Sequence, residues 1–247
     1  DGTAIGKASP VQIGSRSWIA IATNSSIEAN SQFSLAIRDD NLLFAWGLNN
    51  LGQLGDGSST NRSSPVQIGS SSWIAVAAGD FHSVAIDSNN KLFAWGLNNL
   101  GQLGDGTTTN RSSPVQIGSD SWTAITAGSS YTVGIKGNGL LYSWGDNTDG
   151  INGNDNKTSL QSWTQVCYTG YNAIAIRSDG MLFTWGSNIY GEGGTNSTRV
   201  STSVLNNSPT QIGSSSWTMV AGMQFTMYAI RSGGTLFSWG LNNSGQM

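Results

Sequence analysis

Trp46 to Gly69 reads WGLNNLGQLGDGSSTNRSSPVQIG, and Trp95 to Gly118 reads WGLNNLGQLGDGTTTNRSSPVQIG. The two stretches differ only where Ser58 and Ser59 become Thr107 and Thr108. An asymmetric domain would place two such copies in different surroundings and select different residues for each. A repeat architecture gives both copies the same neighbours, so near-identity points to stacked equivalent units.

The rest of the chain carries the same punctuation. Trp-Gly pairs recur at Trp46-Gly47, Trp95-Gly96, Trp144-Gly145, Trp185-Gly186 and Trp239-Gly240, at intervals of 49, 49, 41 and 54 residues. A second Trp precedes each pair: Trp18, Trp73, Trp122, Trp163 and Trp217. In four of the five repeats the two Trp are 22 residues apart, and the first repeat holds about six extra residues near Asn24 to Asn30. All ten Trp of the 247-residue chain belong to this pattern, so no separate aromatic site is indicated.

Within one repeat, alternation and turn residues predict four strands. Trp73 to Gly79 is the first, His82 to Ile86 the second, and Lys91 to Gly96 the third, after a turn at Asp87 to Asn90. Equivalent turns read KGNG at Lys136, RSDG at Arg177 and RSGG at Arg231. Gly and Asn suit them because hairpin turns need positive φ. Ser113 to Gly118 is the fourth strand, and Pro114 places it at an outer edge, where a missing N–H is tolerated. The expected fold is therefore all-β: a β-propeller of four-stranded antiparallel blades in five repeats, one domain over residues 1–247.

Composition agrees and excludes several functions. Hydrophobic residues are 37%, and 33 Gly bring the total near the usual soluble fraction. Charged residues are only 10%, so Ser, Thr, Asn, Gln and Gly make the surface. The net charge is −3 with no basic run, which gives no nucleic-acid footprint. No apolar run is long enough to cross a membrane as a helix. The chain starts without Met or a signal-peptide pattern, which suggests processing or a fragment.

The motif Ala-Ala-Gly-x-x-His-Ser-x-Ala-Ile, followed by Leu-Phe-Ala-Trp-Gly-x-Asn-x-x-Gly-Gln-Leu-Gly over Ala77 to Gly104, resembles the repeat of the regulator of chromosome condensation family. The resemblance extends over all five repeats. The family's propellers usually have seven blades, so two readings stand: a closed five-bladed ring, which the ends favour, or part of a seven-bladed one. The ends favour closure because a strand near residues 9–14 would supply the missing quarter of the last blade, residues 217–240. Such an offset removes two open sheet edges.

Chemistry is thinly represented. His82 is the only histidine, and its counterparts Phe33 and Tyr131 indicate packing. The neighbours Asp80 and Ser83 do not make a catalytic triad with it, since successive strand residues face opposite ways. Cys167 stands where other repeats have Ala77 or Thr126 and reads as a small packed residue. One His and one Cys cannot build a usual zinc site. The stretch DNTDGINGNDN at Asp146 to Asn156 lacks calcium-loop spacing. The Gly-rich loops at Gly52 to Gly57 and Gly101 to Gly106 lack a Lys and the Walker spacing. No catalytic residue, cofactor or metal is expected.

The expected function is binding. Near-identical, weakly charged repeats of this kind resemble bacteriophage structural and tail-associated proteins. That implies a surface-exposed structural or adhesive component of a virion or other extracellular assembly. Its partners would be other structural proteins, a cell-surface receptor or a glycan, with homo-oligomerisation within the assembly. Two alternatives come from the family: a secreted propeller like its β-lactamase inhibitory members, and guanine nucleotide exchange on a small GTPase. Irregular loops are the natural place for a partner surface. Aromatic anchors dominate interfaces, so Tyr168, Tyr171 and Tyr190, with Glu192, are the contact candidates.

Overall fold

The computed structural model describes residues 2, 5–24, 32–148, 162–169, 172–194, 206–223 and 225–245. The chain divides into two compact units, Asp1–Ser121 and Trp122–Met247. Every regular element in the described residues is a β-strand.

Unit 1 holds β1 (Trp18–Thr23), β2 (Phe33–Arg38), β3 (Leu42–Gly47), β4 (Arg62–Ala78), β5 (His82–Asp87), β6 (Leu92–Gly96) and β7 (Arg111–Gln116). They run antiparallel in the order β1 to β7. The 17-residue β4 serves two blades: its first half pairs with β3 and its second half with β5. Each four-stranded blade is thus built as the repeat predicts. Unit 2 holds β8 (Trp122–Ala127), β9 (Tyr131–Lys136), β10 (Leu141–Gly145), β11 (Trp163–Thr169), β12 (Asn172–Arg177), β13 (Leu182–Gly186), β14 (Asn206–Gln211), β15 (Trp217–Met223), β16 (Thr226–Arg231) and β17 (Leu236–Gly240). These form sheets β10-β9-β8, β11-β12-β13-β14 and β15-β16-β17. The outer strand expected at Ser159 to Ser162 falls mainly outside the described residues.

The stretch near residues 9–14, expected as an edge strand, carries no ladder pairing, and regular structure begins at Trp18. Ile13 instead offers its carbonyl to the Trp18 indole N–H at 3.1 Å.

Two irregularities recur, the first in all five blades and the second in the three with a described fourth strand. One residue is inserted after the leading Trp, between Trp18 and Ala20, Trp73 and Ala75, Trp122 and Ala124, Trp163 and Gln165, and Trp217 and Met219. Such a bulge increases local twist and bends the strand. The second irregularity lies between the third and fourth strands, where Pro65, Pro114 and Pro209 sit in the bulged stretch. Pro has no N–H to lose from the ladder at that edge.

Blades stack through one repeated interface. In unit 1, Leu35, Ile37, Leu43, Leu54 and Ile68 of the first blade pack on Trp73, Ala85 and Trp95 of the second. In unit 2, Ile174, Ile176 and Leu182 pack on Trp217, Met227 and Ala229 in the same way. The two Trp of a blade touch at centroid distances of 5.6–6.4 Å. An aromatic ring on the third strand meets the leading Trp edge-on, as Phe93 does Trp73 at 5.2 Å. Such contacts contribute about 0.5–1.5 kcal/mol each beyond burial.

The Gly of each Trp-Gly pair has φ between 101° and 111°. A Cβ on Gly47 would lie 2.5 Å from the Gln32 carbonyl oxygen and 2.6 Å from the Phe33 Cα. Only Gly satisfies both the conformation and the close approach.

Candidate interaction surface

The loop after each Trp-Gly pair is where the molecule departs from plain sheet. In unit 1 it is tied around a buried Asn. The Asn49 amide donates to Asp56 Oδ1, the Ser58 carbonyl and the Thr60 carbonyl, each at 3.1 Å. Its Oδ1 accepts from the Leu54 N–H at 2.9 Å. Arg62 Nε donates to Asp56 Oδ2 at 2.7 Å, closing the knot. The second copy repeats it with Asn98, Asp105, Thr107, Thr109, Leu103 and Arg111. Burial raises the Asp105 carboxyl, but donors from Thr107, Arg111 and Asn98 outweigh that and hold it at about 2. The near-identity of the two sequences therefore encodes a loop with a fixed shape.

Some of these loops present apolar residues beside polar ones such as Asn50 and Asn99. Leu100 is 48% exposed at the tip of the second loop. In unit 2 Tyr190, 37% exposed, stands at the Leu100 position, and Ile189, 51% exposed, stands just before it where the second loop has Asn99. Tyr190 leans on Phe225 with ring centroids 5.0 Å apart, and its backbone N–H donates to Glu192 Oε2 at 2.6 Å. A rigid loop with an exposed apolar tip loses little entropy on binding.

The other sequence candidates have different places. Tyr168 is 7% exposed on β11, where it meets Tyr131 edge-on at 4.6 Å. It is a packed strand residue rather than a surface anchor, because its stretch continues the ladder to Thr169. Glu192 is fully buried. It occupies the repeat position of Gln53 and Gln102, and its carbonyl accepts the Trp239 indole N–H at 2.8 Å. Burial pushes its carboxyl above the ordinary value, and Oε1 finds no hydrogen-bond donor among the described residues. Tyr171 lies outside the described residues. The structure thus keeps Tyr190 exposed and places Glu192 beneath it.

His82 is fully buried on β5, which lowers its pKa to about 4. It is neutral near pH 7. Burial raises the Cys167 thiol, so the reactive thiolate is disfavoured. Among the described residues no three His, Cys, Asp or Glu converge as a metal site. Leu100 and Ile189 escaped the sequence reading, which sought aromatics in irregular loops. Their signal was present as apolar residues four or five places after the second Trp in three of the five repeats, at Leu51, Leu100 and Ile189-Tyr190.

The family model described as the regulator of chromosome condensation (RCC1) repeat matches residues 40–86 and 89–135. A second model of the same description matches residues 25–53, 73–102, 122–151 and 163–192. No curated protein sequence gives a significant match. Among solved structures, Prp20p from Saccharomyces cerevisiae, described with its binding properties to Gsp1p and histones, is similar at 18% identity and a TM-score of 0.77. That match covers 92% of this chain and 57% of Prp20p. Yeast RCC1 (Prp20) in complex with Kap60 is similar at 19% identity and TM-score 0.76, covering 92% of this chain and 56% of that one. Human WBSCR16 is similar at 20% identity and TM-score 0.72, with 86% and 60% covered. The chain therefore spans less than two-thirds of each, and the likeness at these identities carries the fold. Both the repeated Trp-Gly architecture and the models that match it assign the chain to the regulator of chromosome condensation (RCC1) repeat family.

Proposed function

We propose that the chain is a non-catalytic, protein-binding propeller that works at the surface of a virion or another extracellular assembly. The observation that carries this reading is the knotted loop with an apolar tip. Asn49 and Asn98 hold their loops by internal hydrogen bonds, and Leu100, Ile189 and Tyr190 project from equivalent loops. The one histidine and the one cysteine are withdrawn: His82 is buried and neutral, and burial raises the Cys167 thiol. Protein binding also accords with the partners named for Prp20p. The low-charge surface, 10% charged residues, supports use outside the cell, where binding must tolerate changes of salt.

The test immobilises the native chain and the variant Leu100→Ser/Tyr190→Ser, and exposes both to the same source material. Retention of partner is expected to fall at least tenfold in the variant, with unchanged near-UV circular dichroism. Equal retention by both proteins would rule out the tips as the binding surface.

A further inference from the structure

The Ile189–Tyr190 tip is held differently from its counterparts. In the first repeat the Gly52 N–H donates to the Asn49 carbonyl at 3.0 Å, and in the second Gly101 donates to Asn98 at 3.0 Å. Gly191, at the matching place, makes no such bond among the described residues. Gln102 clamps its loop twice, accepting from the Leu100 N–H at 2.9 Å and donating to Asn99 Oδ1 at 3.3 Å. Glu192 stands at the Gln102 position, and its carboxylate has no N–H to donate. Ile189 stands at the Asn99 position and has no side-chain oxygen to accept. The tip rests instead on Glu192 Oε2, which accepts from the Tyr190 N–H at 2.6 Å, and on the ring contact of Tyr190 with Phe225.

The other half of the loop is anchored by its backbone. The Glu192 carbonyl accepts from the Trp239 indole N–H at 2.8 Å, and the Gly193 N–H donates to Asn188 Oδ1 at 2.8 Å. A single carboxyl group therefore ties the exposed half to the fixed half. That group is 0% exposed, and Oε1 meets no donor among the described residues. An ionised carboxylate in such a place costs free energy that a proton, or a move into water, relieves.

Charges that could offset it stand at a distance. β13, β14, β15 and β17 carry no charged residue. Arg177 and Arg231 lie at the far ends of β12 and β16, away from Asn172 and Thr226, which pair beside the loops. Asp179 is bound to Arg177 at that remote end. The other titratable side chains of this loop and of β11 to β17 are the phenols of Tyr168, Tyr190 and Tyr228 and the thiol of Cys167.

We propose that Glu192 is a proton switch for the Tyr190 tip. Protonated, it stays buried, and its carbonyl oxygen keeps the Tyr190 N–H and holds the ring over Phe225. Ionised, it turns toward solvent and releases Ile189 and Tyr190. Burial raises the carboxyl above 4.5, so the closed tip is fully favoured below about pH 4.5 and loses ground as pH rises through the buried value. Binding at this loop then weakens with rising pH, a consequence that rests on the loop-tip reading.

The test is amide hydrogen exchange read by NMR, corrected for intrinsic exchange, in the native chain and in Glu192→Gln, at about pH 5 and about pH 8. The Leu100 amide, held by the neutral Gln102, is the reference. In the native chain the protection of the Tyr190 amide is expected to fall at least about fivefold between the two pH values, relative to Leu100. In Glu192→Gln, which carries the residue found in the second repeat, the ratio is expected to stay level. A Tyr190 protection that keeps pace with Leu100 in the native chain overturns the proposal, as does the same fall in Glu192→Gln. No partner is present, so that failure leaves the loop-tip reading standing. The loop-tip reading fails on its own test, when Leu100→Ser/Tyr190→Ser retains partner as well as the native chain does.

Discussion

The Trp95 indole N–H donates to the backbone carbonyl of Gln53 at 2.9 Å, joining one blade's third strand to the loop of the blade before it. The Ser83 hydroxyl reaches the same carbonyl at 2.7 Å. Trp239 repeats the bond to Glu192 in unit 2. In these two blades the second Trp is therefore both a packed ring and a polar latch.

Trp95→Phe removes that latch and some buried volume. A loss of roughly 2 kcal/mol is expected from the missing bond and the unfilled space. Trp46→Phe, at a half-buried ring that makes no such bond among the described residues, should cost less than about 0.5 kcal/mol. Urea titrations of the two variants measure the contrast, and equal losses would contradict the latch.

Gly96 and Gly106 separate close approach from conformational strain. Both have positive φ, 101° and 76°. A Cβ on Gly96 would lie 2.5 Å from the Phe81 carbonyl oxygen and 2.8 Å from the His82 Cα, whereas one on Gly106 meets nothing within 4 Å. Gly106→Ala should cost about 1 kcal/mol for the backbone alone. Gly96→Ala should cost about 4 kcal/mol or abolish folding. Thermal unfolding of both variants decides the matter.

His82 should make the fold acid-sensitive. Its pKa drops from 6.5 to about 4 on folding because the imidazole is buried. The unfolded chain thus takes up the proton first as pH falls. The stability His82 confers is intact above about pH 6.5 and is lost on the way down to pH 4, on the order of 3 kcal/mol in all. His82→Phe installs the residue found at the equivalent Phe33. It is expected to flatten stability between pH 6.5 and 4, read as urea midpoints at each pH.

Glu192 should act in the opposite sense. Burial raises its carboxyl above the ordinary 4.5, opposed by hydrogen bonds that include the Tyr190 N–H. The unfolded chain ionises first, so the contribution falls as pH rises from about 4.5 through the folded value. In the first repeat Gln53 stands here, accepting from the Leu51 N–H at 2.9 Å and donating to Asn50 Oδ1 at 3.3 Å. Ile189→Asn/Glu192→Gln rebuilds that set. It is expected to add about 1–2 kcal/mol at pH 7 and to remove this pH dependence. No gain in the urea midpoint would refute the assignment.

Much of this was legible in the sequence because the repeat writes the same interactions several times. The Trp pairs, the Gly after each second Trp and the hairpin turns all fell where alternation placed them. Glu192 and Tyr168 were read as contact residues because their loops looked irregular. Aligning Glu192 with Gln53 exposes its buried role, while Tyr168 is hidden by its pairing with Tyr131, a partner that strand patterning does not name. The difference in burial between Trp18, half-buried, and Trp73, at 2% exposure, was not legible, since the two are the same letter in the same motif.

The most direct test of a surface-assembly role is sedimentation of the source material through a density gradient, with mass spectrometry of each fraction for peptides of this chain. The account predicts that they travel with a particle at fixed stoichiometry. Peptides confined to the slow, soluble fractions would contradict it.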